Sequence, residues 1–167
     1  MTSFDRLDAE LLGRLDKDGR LGVAQLATML GVSRNTVQAR LRRLEESGIL
    51  RGFRPELDLT AVGLSVQAYI SLEIDQRELD YVIEELTRVP EVLEARTQAG
   101  REDLVLLVAA ETISDIQRIA LDLVNIRGVR HTDTKLIVNT VIPYRVWPLL
   151  DQHTSSQGWG RSTPLPG

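Results

Sequence analysis

The stretch VAQLATMLGVSRNTVQARLRRLEESGILRGFR, residues 23–54, holds two helix signatures separated by a three-residue turn. Leu26, Ala27 and Leu30 give the first segment an apolar stripe at helical spacing. Gly31 follows at once, where a left-handed residue ends a helix without steric cost. Ser33 then offers a hydroxyl to a free backbone N–H in the first turn of the next helix. In that helix Val37, Leu41 and Leu44 recur at i, i+4 and i+7, so they face a core. A short helix, a glycine turn and a capped second helix form the pattern of a DNA-reading helix-turn-helix.

The outward face of the second helix carries matching chemistry. Arg34, Asn35, Gln38, Ala39 and Arg42 point away from the core just after Ser33. Arg suits guanine, Asn and Gln suit adenine, and an Ala methyl suits the thymine methyl. Arg40, Arg43, Arg51 and Arg54 suit phosphates, which position a protein without reading sequence. An amphipathic helix pair with a solvated polar face would share the pattern but not its charge. Residues 33–54 hold six Arg against two Glu, a local balance of +4 in a chain whose net charge is −4. Such concentration is the footprint of a DNA binder.

Outward from this stretch, three helices near 8–16, 23–30 and 34–47 make a unit that can close a small core. Asp5 is a candidate N-cap for the first, and Lys17-Asp18-Gly19 ends it as a turn. Residues 49–53 read as an extended segment able to form a small wing. The expected organisation is a winged helix-turn-helix domain over 1–54, a linker over 55–64, a second domain over 65–150 and a disordered tail over 151–167, rich in Ser, Gly and Pro.

The second module alternates strand and helix signals. Val66, Ala68, Ile70, Leu72 and Ile74 repeat with period two. Leu79, Val82, Ile83 and Leu86 then repeat with helical spacing. Strands follow near 92–97 and 103–110, a helix around Ile116, Ile119, Ala120 and Leu123, and a last strand region over 129–141. The order βαββαβ is that of a ferredoxin-like split βαβ sandwich, so the fold class is α+β. Residues 86–97 lie in hydrophobic phase with 123–134, ending on Thr97 and Thr134, which suits two pseudo-symmetric halves.

Composition narrows the class. Apolar residues make up 43% and charged residues 26%, as in ordinary globular proteins. There is no cysteine, hence neither a disulfide framework nor a thiolate metal site. The opening residues lack the basic-then-apolar pattern of a secretory signal, and the longest apolar run, 104–110, is too short to span a membrane. The expectation is a cytoplasmic protein without membrane contact, metal or cofactor. Residues 1–60 carry ten Arg/Lys against nine Asp/Glu, whereas 61–150 carry nine against fourteen. A near-neutral head on an acidic body suggests two modules with separate tasks.

Taken together, the chain resembles the Lrp/AsnC, or feast/famine, family of transcription regulators over roughly residues 4–148. The resemblance is carried by Leu7-Asp8-x-x-Leu11-Leu12 with Asp18-Gly19-Arg20, then Leu26-Ala27, then Gly31-Val32-Ser33-x-x-Thr36-Val37-x-x-Arg40-Leu41-x-x-Leu44-Glu45-x-x-Gly48-Ile49, followed by the βαββαβ module. It implies a sequence-specific regulator of double-stranded DNA whose RAM/ACT-like second module drives dimerisation and assembly into tetramers or octamers. It also implies a small effector, usually an amino acid, bound between dimers near the loop joining the second and third strands. That loop reads Thr97-Gln98-Ala99-Gly100-Arg101-Glu102-Asp103, and Thr134 joins the expected pocket wall through the internal echo. Glycine admits a ligand close to the backbone, and the Asp carboxylate accepts from an ammonium or from loop N–H groups. A hairpin turn capped by Asp103 is the alternative. Glu102 departs from the aromatic or apolar residue common there, which favours a polar or cationic effector or a loop that only packs between dimers.

Two other functions share the architecture. An effector-binding oligomer without DNA recognition would lack the basic stripe. A decarboxylase of a tetrapyrrole would need proton donors in a cleft, and the chain has only His131 and His153, with no Ser/His/Asp order, phosphate loop or HExxH.

Overall fold

The computed structural model describes residues 4–158. Helix α1, Arg6–Lys17, opens on a reciprocal capping box: the Asp5 carboxylate accepts from the Asp8 N–H and the Asp8 carboxylate from the Asp5 N–H, both at 3.1 Å. Helix α2, Val23–Leu30, ends at Gly31, whose φ of 66° reverses the chain. The Val32 N–H then donates to the Ala27 carbonyl at 3.0 Å, closing a Schellman turn. Helix α3, Arg34–Glu46, starts on Ser33, whose hydroxyl accepts from the Thr36 N–H at 3.1 Å. Leu7, Leu11 and Leu15 of α1 meet Leu26 and Leu30 of α2 and Val37 and Leu44 of α3 in one core.

The expected wing is absent from the described residues. Residues 51–58 take no strand pairing, because a lone extended segment has no second strand to complete its ladder and the chain leaves through Pro55.

The second unit spans Glu56–Val141. Its elements are β1 (Val66–Ile74), a 3-10 turn (Gln76–Glu78), α4 (Leu79–Thr87), β2 (Val92–Thr97), β3 (Leu104–Ala110), α5 (Ile113–Val124) and β4 (Val129–Ile137). The sheet order is β2-β3-β1-β4, with every neighbouring pair antiparallel. Ala68, Ile70 and Leu72 oppose Val108, Leu106 and Leu104. The period-two pattern therefore places one row of side chains against Val82 and Leu86 of α4 and Ile116, Ile119 and Leu123 of α5. This is the ferredoxin-like arrangement expected from the element order.

The chain's end departs from expectation. Residues from Ile142 onward group with the first unit rather than the second. Helix α6, Trp147–Thr154, packs on α1, so residues 151–154 are helical rather than a disordered tail. Pro148 sits in its first turn, where a missing N–H costs nothing. The Trp147 ring lies over Gly13, where an added Cβ would come within 2.2 Å of it. The Ser, Gly and Pro content signals a breaker-rich tail, but composition carries no sign of this notch on α1. Residues 159–167 of the expected tail lie outside the described residues. No helix among the described residues is long and apolar enough to cross a membrane.

Gly31→Ala forces a Cβ into the left-handed region. It should destabilise the helical unit by about 1–2 kcal/mol, read as a lowered midpoint in denaturant followed by circular dichroism.

Candidate nucleic-acid interface

Helix α3 divides its side chains by angle. At about 100° per residue, Arg34, Asn35, Gln38, Ala39 and Arg42 fall within an arc of about 140°, and all five are exposed. Ser33 is exposed at its head, but its hydroxyl is engaged with the Thr36 N–H and, at 2.9 Å, the Thr36 hydroxyl. Arg51 and Arg54 are exposed on the segment after α3. Arg34, Arg42, Arg51 and Arg54 make no ion pair with any described residue, so their charge faces solvent.

Arg40 and Arg43, the other two arginines of α3, expected at phosphates, are paired within the helical unit. Arg40 donates through Nη1 to Asp5 and, at 3.1 Å, to Asp8; Arg43 donates through Nη2 to Asp8. The Asp8 side chain is fully buried and that of Arg40 is 12% exposed. Burial opposes the Arg40 charge, and its bonds to Asp5 and Asp8 outweigh that, leaving its pKa raised. A buried carboxylate without such partners would be prohibitively costly, so both guanidiniums are committed to holding α3 on α1. The Asp5-x-x-Asp8 spacing announces a capping box, but nothing local to it shows cations 32 and 35 residues away.

The loop after β2 is held just as firmly at one end. The Asp103 N–H donates to the Leu72 carbonyl at 2.8 Å, and the Gln98 N–H to the Asp103 carbonyl at 3.0 Å. One oxygen of the Asp103 carboxylate accepts from the Ile74 N–H at 2.8 Å and the other from the Gln76 amide at 2.5 Å. Asp103 thus ties the start of β3 to the irregular end of β1, the capping role weighed against ligand binding. Thr97, Gln98, Ala99, Gly100 and Arg101 are exposed, and Glu102 is half-buried. Gly100 has no positive φ, and a Cβ there would meet nothing within 4 Å.

Thr134 is not brought to this loop. Thr97 lies on β2 and Thr134 on β4, the two outer strands, with β3 and β1 between them. The internal echo equates the two positions, and pseudo-symmetry sends equivalent strands to opposite edges. His131 is exposed on β4, opposite Glu73, and His153 is exposed on α6. Among the described residues no cluster of three or more His, Asp or Glu is placed to hold a metal.

Comparison with known proteins covers both modules. Residues 4–45 match the AsnC-type helix-turn-helix domain and residues 67–147 the Lrp/AsnC ligand binding domain. The HTH-type transcriptional regulator AldR of Mycolicibacterium smegmatis is 34% identical over 138 residues, covering 80% of this chain and 81% of that protein. Among solved structures, the leucine response regulatory protein LrpA of Mycobacterium tuberculosis is 30% identical with a TM-score of 0.72, covering 86% of this chain and 98% of that one. The transcriptional regulator NMB0573 of Neisseria meningitidis, solved as a complex with L-Met, is 24% identical with a TM-score of 0.78, covering 84% and 93%.

Removing the Asp8 carboxylate strips Arg43 of its partner and Arg40 of one of two. Asp8→Ala should cost about 3–5 kcal/mol of stability, seen as a large fall in the unfolding midpoint. A loss under about 1 kcal/mol, the level of an exposed pair, would contradict the buried network.

Proposed function

The chain belongs to the Lrp/AsnC family of HTH-type transcriptional regulators, and on that premise we propose that its α3 face reads duplex DNA by sequence while its second module takes an amino-acid effector between dimers. The observation that carries the DNA reading is the exposed arc of α3: Arg34, Asn35, Gln38, Ala39 and Arg42 lie together there, and its two cations pair with no carboxylate among the described residues. Arg51 and Arg54 extend the positive charge beyond the helix and supply phosphate contacts. Arg40 and Arg43 contribute to the local potential but act on DNA chiefly by orienting α3.

Duplex DNA presents the same groove twice per palindrome, so a dimer would place two α3 helices about one helical turn, or a multiple, apart. Support for self-association comes from Leu136, Val138, Val141, Ile142 and Tyr144, large apolar side chains exposed in one stretch of chain. Large apolar side chains left in water in such number suit burial against another protein surface. Dimers then assemble into tetramers or octamers, as the family resemblance implies.

The effector site is the loop at residues 97–102. Its residues through Arg101 are exposed, which suits a site completed by another subunit. Gly100 supports the reading: its φ is not in the left-handed region and no described residue crowds it, so its own packing does not require glycine. A ligand approaching the backbone would. That the Neisseria relative is solved with L-Met supports an amino acid as the class. Glu102 and Arg101 favour one with a polar or charged side chain. The effector acts by binding two assemblies unequally, since equal binding shifts nothing. Thr134, on the far edge of the sheet, would line a different surface.

Arg42→Ala or Gln38→Ala should weaken a selected operator by about 1–3 kcal/mol and leave binding to a shuffled duplex unchanged, measured by fluorescence anisotropy across a salt series. Equal loss on both duplexes would reduce these side chains to backbone contacts. For the loop, Gly100→Leu should leave the melting temperature of the free protein in place while abolishing the upward shift given by a stabilising amino acid. A retained shift would move the pocket elsewhere.

A further inference from the structure

The match to the ligand-binding family ends at Trp147, the first residue of α6, so the rest of the helix, Asp151 included, lies past the residues that the family match covers. Three contacts fasten it to α1. The Trp147 ring fills the notch over Gly13. Asp151 receives Arg6 twice, its carboxylate pairing with Nη1 at 2.6 Å and its carbonyl accepting from Nη1 at 3.2 Å. The same guanidinium stands 5.9 Å from the centre of the Trp147 ring.

Helix α1 therefore works on separate faces. Arg6 and Gly13, at i and i+7, meet α6, while Asp5 and Asp8 hold Arg40 and Arg43 of α3. Arg6 is the residue next to Asp5, so the clamp on α6 and the clamp on α3 share the first turn of α1.

We propose that α6 is a positioning element for DNA reading: Trp147 and Asp151 fix the first turn of α1, and α1 passes that constraint to α3 through the Asp5 and Asp8 carboxylates. Neither residue touches DNA. Because α6 continues from β4 through residues 138–146, the ligand-binding module is joined to the helical unit at α6 as well as through the segment between α3 and β1, and α6 reaches the recognition helix through its contacts on α1. The proposal presupposes that α3 reads DNA as set out above.

The test uses the full chain as wild type, Asp151→Asn, Asp151→Glu and Trp147→Ala. The probe is the duplex most enriched by wild type from a random pool, with a shuffled duplex as control, at a temperature where each variant is folded by circular dichroism. Asp151→Asn and Trp147→Ala should lower the ratio of selected to shuffled affinity by roughly three- to tenfold. The loss should fall on the selected duplex, because the exposed cations are unchanged, and Asp151→Glu should keep the wild-type ratio. An unchanged ratio in Asp151→Asn, even with a lower melting temperature, would overturn the proposal and leave α6 a stabilising helix only. If Trp147→Ala does not fold, the two Asp151 variants decide alone. Failure of wild type to enrich any sequence would remove the premise itself, and is distinguishable because it precedes any variant.

Discussion

A carboxylate removed from solvent stands where α1 meets α3. Asp8 accepts from the Asp5 N–H and from two guanidiniums, and each partner is necessary, because an unpaired charge there would be costly enough to unfold so small a unit. The network adds little net stability beyond what an apolar contact of the same volume would give. Its contribution is geometric. Apolar side chains such as Val37 and Leu44 slide over their neighbours at little cost, whereas a guanidinium held by two carboxylates tolerates few orientations. The exposed arc of α3 is thereby set at one angle to α1.

The second module meets a similar need differently. Its sheet is fastened by a ladder of apolar pairs, Ile70 against Leu106 and Leu72 against Leu104, with α4 and α5 covering one face. At the end of that ladder, where β1 loses regular register, Asp103 closes the gap by accepting from the Ile74 backbone and the Gln76 amide. The loop carrying Gly100 is thus anchored at its C-terminal end, with its middle exposed. A fixed base under an open segment suits recognition, since ligand binding then orders few residues. Covalently the two modules are joined twice, because the chain leaves the first after Pro55 and returns to it at Ile142.

Much of this was legible in the amino-acid order. Leu26, Leu30, Val37 and Leu44 repeat at helical spacing, Gly31 and Ser33 punctuate them, and all act as that spacing requires, because helix ends and amphipathic faces depend on neighbours within a few residues. The period-two run from Val66 to Ile74 was equally direct, since a strand with one buried face must alternate. The outward set of α3 followed from the same arithmetic. The motifs of both modules, read in order, carried the family as well.

What the order of residues left undecided was which charges meet. Arg40, Arg42 and Arg43 are alike in sequence, yet Arg42 faces solvent while Arg40 is bound to Asp5 and Asp8 and Arg43 to Asp8. Thr97 and Thr134 look equivalent, yet the sheet puts them on opposite edges. The last helix reads as the end of the second domain running into a breaker-rich tail from residue 151, until Gly13 and Arg6 supply its seat. Local pattern determined the elements, their caps and their buried faces, because those depend on contacts a few residues apart. Only the tertiary structure decided the ion pairs, the edges and the docking of α6, because each joins residues dozens or more positions apart whose meeting depends on the whole fold.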